Sequence, residues 1–374
     1  MSEKSDHKKQ EEQEMMDWLR GKAEEIQDSE IVKKNRKVTS EVGRDVLFFE
    51  QLEASLSRAL SGKFATPKKV QHKNTKTKRI LNLVLSDLHY GSDLDPREVG
   101  VAYGPIEEAR RTAAVIKEVA EYKMDHRHDT ELYVHLAGDI LNGTIHREGT
   151  ITPLAEQMGR ATHILTQAMG YLAANFKKVS VFTAIGNHDR APITHPTRAI
   201  NQKWNSYGMS IYHTIMLVCK QWSNVKVNLT YEPKADFPLF GHLGFLTHLD
   251  TVLNVGMPAK SINVGNAKKQ MNEINNARIG AKKQPYNIFV GGHCHTPSLT
   301  HLSGNMALLT NGSLIPADPY SISLGIFESV NGQYLFESTP EHYIGDSRFI
   351  IVNGETDKDS SLDQIIKPFE DLTK

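Results

Sequence analysis

Five short runs of the chain carry side chains that could hold metal ions. They are Asp87-Leu88-His89, Gly138-Asp139, Gly186-Asn187-His188-Asp189, His248 and Gly292-His293-Cys294-His295. A lone Asp-x-His recurs by chance and means little. Gly-Asn-His-Asp is rarer: average residue frequencies put it in roughly one chain in a thousand. Two divalent cations about 3.5–4 Å apart need a bridging anionic oxygen and several neutral or anionic donors on each side. Asp87 and Asp139 bring carboxylates that lower the net charge, and Asn187 adds an amide oxygen without further charge. His89, His248, His293 and His295 bring nitrogens that suit Mn, Fe, Ni or Zn better than Mg or Ca. In extended chain alternate residues face one way, so Asp87/His89 and His293/His295 can each reach one cavity. Cys294, between the latter pair, then points away and reads as a small filler. His242 is a rival to His248. Only His248 follows the apolar run 243–246 and precedes Asp250, so His248 is the choice.

These runs need elements that bring them together. Short apolar stretches at 80–85, 132–137, 179–185, 243–247 and 287–290 read as strands, each ending at one of the motifs. Helix-period stretches at 106–122 and 153–176 lie between the early strands. Strand, polar loop, helix, strand is the α/β pattern, in which loops at the carboxyl ends of strands build the site. After His295 the chain reads as strand-rich, at 306–309, 321–327 and 333–336, which suggests a second sheet layer facing the first.

Before Ile80 the texture differs. Val46, Phe49, Leu52, Leu56 and Leu60 recur at three- and four-residue steps, and Met15, Trp18 and Leu19 fit the same spacing. Periodicity reports burial and not a ligand. Residues 1–66 are therefore read as a charged helical extension for packing or self-association in preference to a DNA-binding module. Residues 67–79 read as a basic linker, with Lys68, Lys69, Lys73, Lys76, Lys78 and Arg79 and no acidic residue among them. Such a cluster can sit on phosphates, though solvated connectors look the same. The rest divides into an α/β domain at 80–345 and a C-terminal tail at 346–374.

Bulk composition narrows the class. The 374 residues are 39% hydrophobic and 24% charged, with zero formal net charge, so attraction to nucleic acid or membrane has to be local. Two cysteines, Cys219 and Cys294, exclude a disulfide framework or a thiolate metal site. The charged N-terminus is unlike a signal peptide and no apolar run reaches membrane-spanning length, so the expected setting is cytoplasmic.

In order and spelling the motifs resemble those of the calcineurin-like metallophosphoesterases, over residues 80 to 315. The resemblance implies two mixed β-sheets packed face to face and flanked by helices, an α/β four-layer sandwich. It also implies two divalent cations, Mn²⁺ first with Fe, Ni or Zn as alternatives. Asp87, His89, Asp139 and His295 would bind one cation, and Asp139, Asn187, His248 and His293 the other, with Asp139 as the bridge. His188 would be the general acid over the leaving-group oxygen and not a ligand. The family's protein phosphatases continue their second motif as Gly-Asp-x-x-Asp-Arg-Gly. This chain runs Gly138-Asp139-Ile140-Leu141-Asn142-Gly143, and it has Asp189 where those enzymes have Glu, which disfavours that activity. Ser-Asp-Leu-His-Tyr-Gly (86–91) and Gly-Gly-His-Cys-His-Thr-Pro (291–297) are more similar to the DNA-processing branch. That branch includes the nuclease subunit of double-strand-break repair complexes and the exonuclease subunit of archaeal family D DNA polymerase.

The expectation is a phosphodiesterase, an exonuclease-like nuclease with DNA or another nucleic acid as partner. A small-molecule nucleotide phosphodiesterase or phosphatase is the alternative. A non-catalytic scaffold fits the intact ligand set less well. Arg190, His146 and Arg147, and further along His195 and Arg198, follow ligand motifs on loops where a guanidinium can fork onto phosphate oxygens. Asn142 is a candidate to orient His188. His126, His128, His135, His163, His213 and His301 have no motif around them and read as structural.

Overall fold

The computed structural model describes residues 78–125, 131–145, 152–190, 203, 205–253, 255, 262–325, 327, 330–352 and 363–372. The helical extension read at 1–66 and most of the basic linker lie outside them. So do His126, His128, His146, Arg147, His195 and Arg198.

Eleven strands and seven helices follow in the order β1 (Ile80–Leu85), α1 (Pro96–Val99), α2 (Pro105–Asp125), β2 (Glu131–Leu136), α3 (Leu154–Asn175), β3 (Lys178–Thr183), α4 (Tyr207–Cys219), β4 (Val225–Asn228), β5 (Ala235–Leu239), β6 (His242–Leu246), α5 (Val264–Gly280), β7 (Ile288–Gly291), β8 (Ser298–Leu302), β9 (Met306–Thr310), α6 (Pro319–Ser323), β10 (Gly332–Ser338), β11 (Ser347–Ile351) and α7 (Asp363–Leu372) among the described residues. One sheet runs β11-β10-β1-β2-β3-β4, and the other β5-β6-β7-β9-β8. In the first, β1 to β4 are parallel, with β10 and β11 added antiparallel. In the second, β6, β7 and β9 are parallel and β5 and β8 cap them antiparallel. Both sheets are mixed, as the sequence reading expects.

The alternation of β1 explains the layering. Ile80 and Val84 face the second sheet, in one buried cluster with Phe182, Phe237, Leu246, Val290 and Leu309. Leu81, Leu83 and Leu85 are equally buried, as in a central strand covered on both faces. Helices α2, α3, α4 and α7 pack against one another beside the first sheet. On the outer face of the second sheet, Ala267 and Met271 of α5 meet Phe245, Tyr286, Phe289 and Leu308. No helix among the described residues is long and apolar enough to cross a membrane.

Two readings need correction. The stretch 321–327 is not a strand, since Pro319–Ser323 forms a helical turn. Asp318 caps it by accepting from Ser321 N (2.7 Å), with proline at the first turn, a start signal written in Asp-Pro itself. The segment 346–374 is not a loose tail. It supplies β11, the edge of the six-stranded sheet, and α7, which packs on α2 and α3 through buried Ile365 and Phe369.

Candidate metal centre

All five motifs leave the carboxyl ends of parallel strands: β1, β2 and β3 in one sheet, β6 and β7 in the other. The chain does not leave them in extended conformation. Asp87 (φ 52°), His89 (48°), Asp139 (50°), His293 (70°) and His295 (52°) all sit in the left-handed region. Non-glycine residues rarely enter it, and Asp, Asn and His do so more readily than most. Alternation along extended chain is therefore not what aims Asp87/His89 and His293/His295. Tight left-handed turns do the aiming.

The turns bring the seven ligand candidates together. Ligand atoms of Asp87, His89 and His295 lie within 4.8 Å of one another, as do those of His89, Asp139 and His188, and those of Asp139, His248 and His293. His89 Nε2 and His295 Nε2 are 3.2 Å apart, and His295 Nε2 is 3.3 Å from Asp87 Oδ1. Across the cluster His248 Nε2 is 2.9 Å from Asp139 Oδ2 and 3.1 Å from Asn187 Oδ1. His248 Nδ1 donates to the Ala137 carbonyl (2.8 Å), which leaves Nε2 of the neutral ring as a lone pair facing two oxygens. Lone pairs converging at this range repel unless a proton or a cation sits among them. Oxygen and imidazole donors on both sides of a shared carboxylate suit first-row divalent metals.

A family model, calcineurin-like phosphoesterase, matches residues 82–317. The chain belongs to the calcineurin-like phosphoesterase family. It is a metal-dependent phosphoesterase by that membership. No curated protein matches it. Solved structures with low identity include a 5'-nucleotidase from Candida albicans (11% identical, 80% of this chain and 59% of that one, TM-score 0.40). Others are a dimetal phosphatase from Danio rerio (12%, 73% and 99%, TM-score 0.35) and the E. coli phosphoesterase Yfce (15%, 72% and 99%, TM-score 0.31).

In this calcineurin-like phosphoesterase the Asp87, Asp139, Asn187 and His293 motifs are each fastened to another by a backbone amide. His293 N donates to both oxygens of Asp87 (2.9 and 3.1 Å), and His188 N donates to Asp139 Oδ1 (2.8 Å). Asp189, fully buried, accepts from Ile140 N (2.8 Å), Leu141 N (3.1 Å) and Gly186 N (3.0 Å). The fit explains two of the motif glycines. A Cβ at Gly186 would stand 2.0 Å from Asp139 Oδ1, and one at Gly292 would stand 2.1 Å from Asp87 Oδ2.

Electrostatics follow the same contacts. Burial would depress His248, but Asp139 outweighs it and raises the ring to about 10, so without metal it takes a proton. Burial would raise Asp139, but His248 and His188 hold it well below the usual carboxylate range. Burial and then His188 push His89 well down, and burial with His248 pushes His293 to about 4. Both are therefore neutral imidazoles, the form that binds metal. Asp189 is pushed up to about 6 by burial and by Asp139, against the pull of the Leu141 and Gly186 amides.

The remaining candidates divide. His188 stands edge-on to His89 with ring centroids 4.6 Å apart, and its Nδ1 donates to the Asn142 backbone carbonyl (2.8 Å). The Asn142 main-chain carbonyl is thus one partner that fixes the ring. Arg190 is half-buried and bridges to Ser206. Cys294 is buried among Phe245, Phe289 and Met306, away from the donors flanking it. His242 packs on Tyr343 and takes no part. His135 lies between the sheets, its Nε2 3.1 Å from Asn82 Oδ1.

Sequence reasoning missed the supports behind the turns. Gln333 exchanges bonds with Ser86 (N to Oε1 2.9 Å, Nε2 to O 3.2 Å), and Asn311 donates to Ser86 Oγ (3.1 Å), so both brace the residue before Asp87. Glu108 Oε1 accepts from Gly91 N (2.7 Å) and Ser92 N (3.1 Å), just after His89. Gln157 bonds Gly143 through both its amide N–H and carbonyl, next to the residue that orients His188. Only Asp189 had a signal, its place in the Gly-Asn-His-Asp run.

Proposed function

We propose that the chain hydrolyses phosphodiester bonds in nucleic acid, as a metal-dependent nuclease of exonuclease type. The observation that carries the reading is the two-sided donor cluster. Asp87, His89 and His295 lie on one side of Asp139, and His248 and His293 on the other beside Asn187. We assign Asp87, His89, Asp139 and His295 to one divalent cation and Asp139, Asn187, His248 and His293 to the second, with Mn²⁺ as the first candidate and Fe, Ni or Zn after it. Bound there, the cations supply Lewis-acid chemistry, lowering the pKa of the attacking water and offsetting charge on the phosphoryl oxygens.

The chain's own part is placement and proton supply. Asp139 is held between the two donor groups by His188 N. His188 commits Nδ1–H to the Asn142 carbonyl, so a proton for the departing alkoxide oxygen travels through Nε2. Arg190 follows that motif directly and is assigned to phosphate oxygens, as are His146 and Arg147 beyond the described residues. Nucleic acid as substrate draws support from the spelling at 86–91 and 291–297 and from the lysine-rich run 68–79.

The test is metal-reconstituted protein on labelled single- and double-stranded DNA, RNA, cyclic nucleotides and a chromogenic phosphodiester, with Asp139→Ala as control. DNA or RNA degradation with added Mn²⁺ is the expected result. Neutralising Lys68, Lys69 and Lys73 should weaken nucleic-acid binding and flatten its salt dependence. Robust turnover of a mononucleotide ester with every nucleic acid left intact would move the reading to a nucleotide phosphodiesterase or phosphatase.

A further inference from the structure

Lys203 is a lysine where lysine is not expected. Its side chain is 4% exposed, as is that of its partner Asp250, and its Nζ donates to Asp250 Oδ1 (2.7 Å) and to the Ile185 carbonyl (2.8 Å). Burying a charged pair takes both ions from water, and apolar residues of similar volume would pack there with less penalty. What this pair gains is position. Ile185 lies two residues before Asn187, at the end of the first sheet's β3 turn. Asp250 lies two residues after His248, on the turn leaving β6 of the second sheet. One ammonium thus ties together the two turns that carry Asn187 and His248, across the line where the sheets meet.

The other ends of this tie are specific too. Asp250 Oδ1 is taken by Lys203 and by Thr251 Oγ1 (3.3 Å), while its buried Oδ2 has no hydrogen-bond partner among the described residues. The Asp250 carboxylate is close enough to act on both His248 and His293. Without Lys203 that carboxylate would be an uncompensated anion beside two imidazoles, drawn toward whatever cation they hold. The supports around Asp87 and His89, namely Gln333, Asn311 and Glu108, make no bond to Lys203.

We propose that Lys203 is a positioning residue for one half of the centre: it fixes the Asn187 and His248 turns and keeps Asp250 out of the donor cluster, so that the second cation site depends on it and the first does not. This rests on the two-cation reading given above.

The test is equilibrium dialysis against Mn²⁺, with bound metal counted on the full chain, for wild type, Lys203→Met, Lys203→Arg and Asp250→Asn. Wild type should bind two cations. Lys203→Met should keep one at an affinity within about twofold of wild type and hold the second at least tenfold more weakly, with the arginine variant in between. Asp250→Asn leaves Lys203 an acceptor but removes the charge that holds it, and should show the same selective loss in weaker form. It carries the test alone if the methionine variant does not fold. A folded variant that holds both cations as wild type does, or loses both equally, overturns the proposal. Wild type binding fewer than two cations would sink the two-cation reading instead, and the two failures are distinguishable.

Discussion

Glu108 poses a choice between two electrostatic effects that a single substitution can decide. It is fully buried on α2, and its Oε1 takes the Gly91 and Ser92 amides. Arg160 stands nearby, but Nη1 is 3.6 Å from Oε2, beyond a hydrogen bond, and the guanidinium forks onto Asp93 and Glu156 instead. Oε2 has no hydrogen-bond partner among the described residues. Burial therefore wins over the Arg160 charge and pushes the carboxyl from its usual 4.5 up to about 8. Burial would lower Arg160, but the Glu108 charge, followed by its closer bonds to Asp93 and Glu156, raises it, so the pair does attract even though burial decides the state of Glu108.

An acid whose folded pKa is raised binds more protons folded than unfolded between those two values. Its contribution to stability is whole below pH 4.5 and is lost as pH climbs to about 8. At about 1.4 kcal/mol per pH unit, the loss has a ceiling of about 5 kcal/mol. Glu108→Gln keeps the carbonyl oxygen for both amides and removes the titration. The variant should match or fall slightly below wild type at pH 5 and exceed it at pH 8.5. Urea unfolding of chelator-treated protein at pH 5, 6.5 and 8.5 measures this. Were the Arg160 ion pair dominant, the order would reverse, with the variant least stable relative to wild type at pH 8.5. Parallel pH profiles for the two proteins would also refute the argument.

Three further outcomes are expected. His188→Ala should cut turnover by about 10²–10⁴ while bound metal, counted by mass spectrometry, stays as in wild type. Gly292→Ala places a methyl group 2.1 Å from Asp87 Oδ2, so it should destabilise the fold by about 1–3 kcal/mol and weaken binding of the cation proposed for Asp87, read by thermal melting and metal titration. Chelation should abolish phosphoester hydrolysis and added Mn²⁺ should restore it. Activity that survives exhaustive chelation would contradict the metal dependence.

What the sequence made legible was pattern. Apolar runs closing on polar motifs placed β1, β2, β3, β6 and β7, the strand-rich texture after His295 placed β9 and β10, and 3.6-residue periodicity placed α2 and α3. Elements whose signal is local failed. Edge strands β4, β5, β8 and β11 are only four or five residues long and end on none of the motifs, so even the clean alternation of β5 went unread, and α6 is too short to show a period. The amphipathic α7 hid behind a charged stretch, and only packing on α2 reveals its buried Ile365 and Phe369.

The site was legible as a set of donors and illegible as a device. Nothing in Asp87-Leu88-His89 says that both ends turn left-handed, a conformation that costs of order 1 kcal/mol or more per residue. Five such residues within one cluster persist only if their surroundings determine them. The determinants are backbone amides, most of them from distant motifs: His293 N on Asp87, His188 N on Asp139, and the Ile140 and Leu141 amides on Asp189, which the Gly186 amide of its own motif joins. Each carboxylate is aimed by a peptide group that can donate whatever side chain it bears. The glycines at 186 and 292 let those amides approach, and with Asp189 in the Gly-Asn-His-Asp run they are the traces the arrangement leaves in the sequence. The strain of the turns and the precision of the donor cluster are thus two sides of the same interlock. Loosening one amide should release the turns before it dismantles the sheets, so metal affinity should fall further than fold stability in such variants.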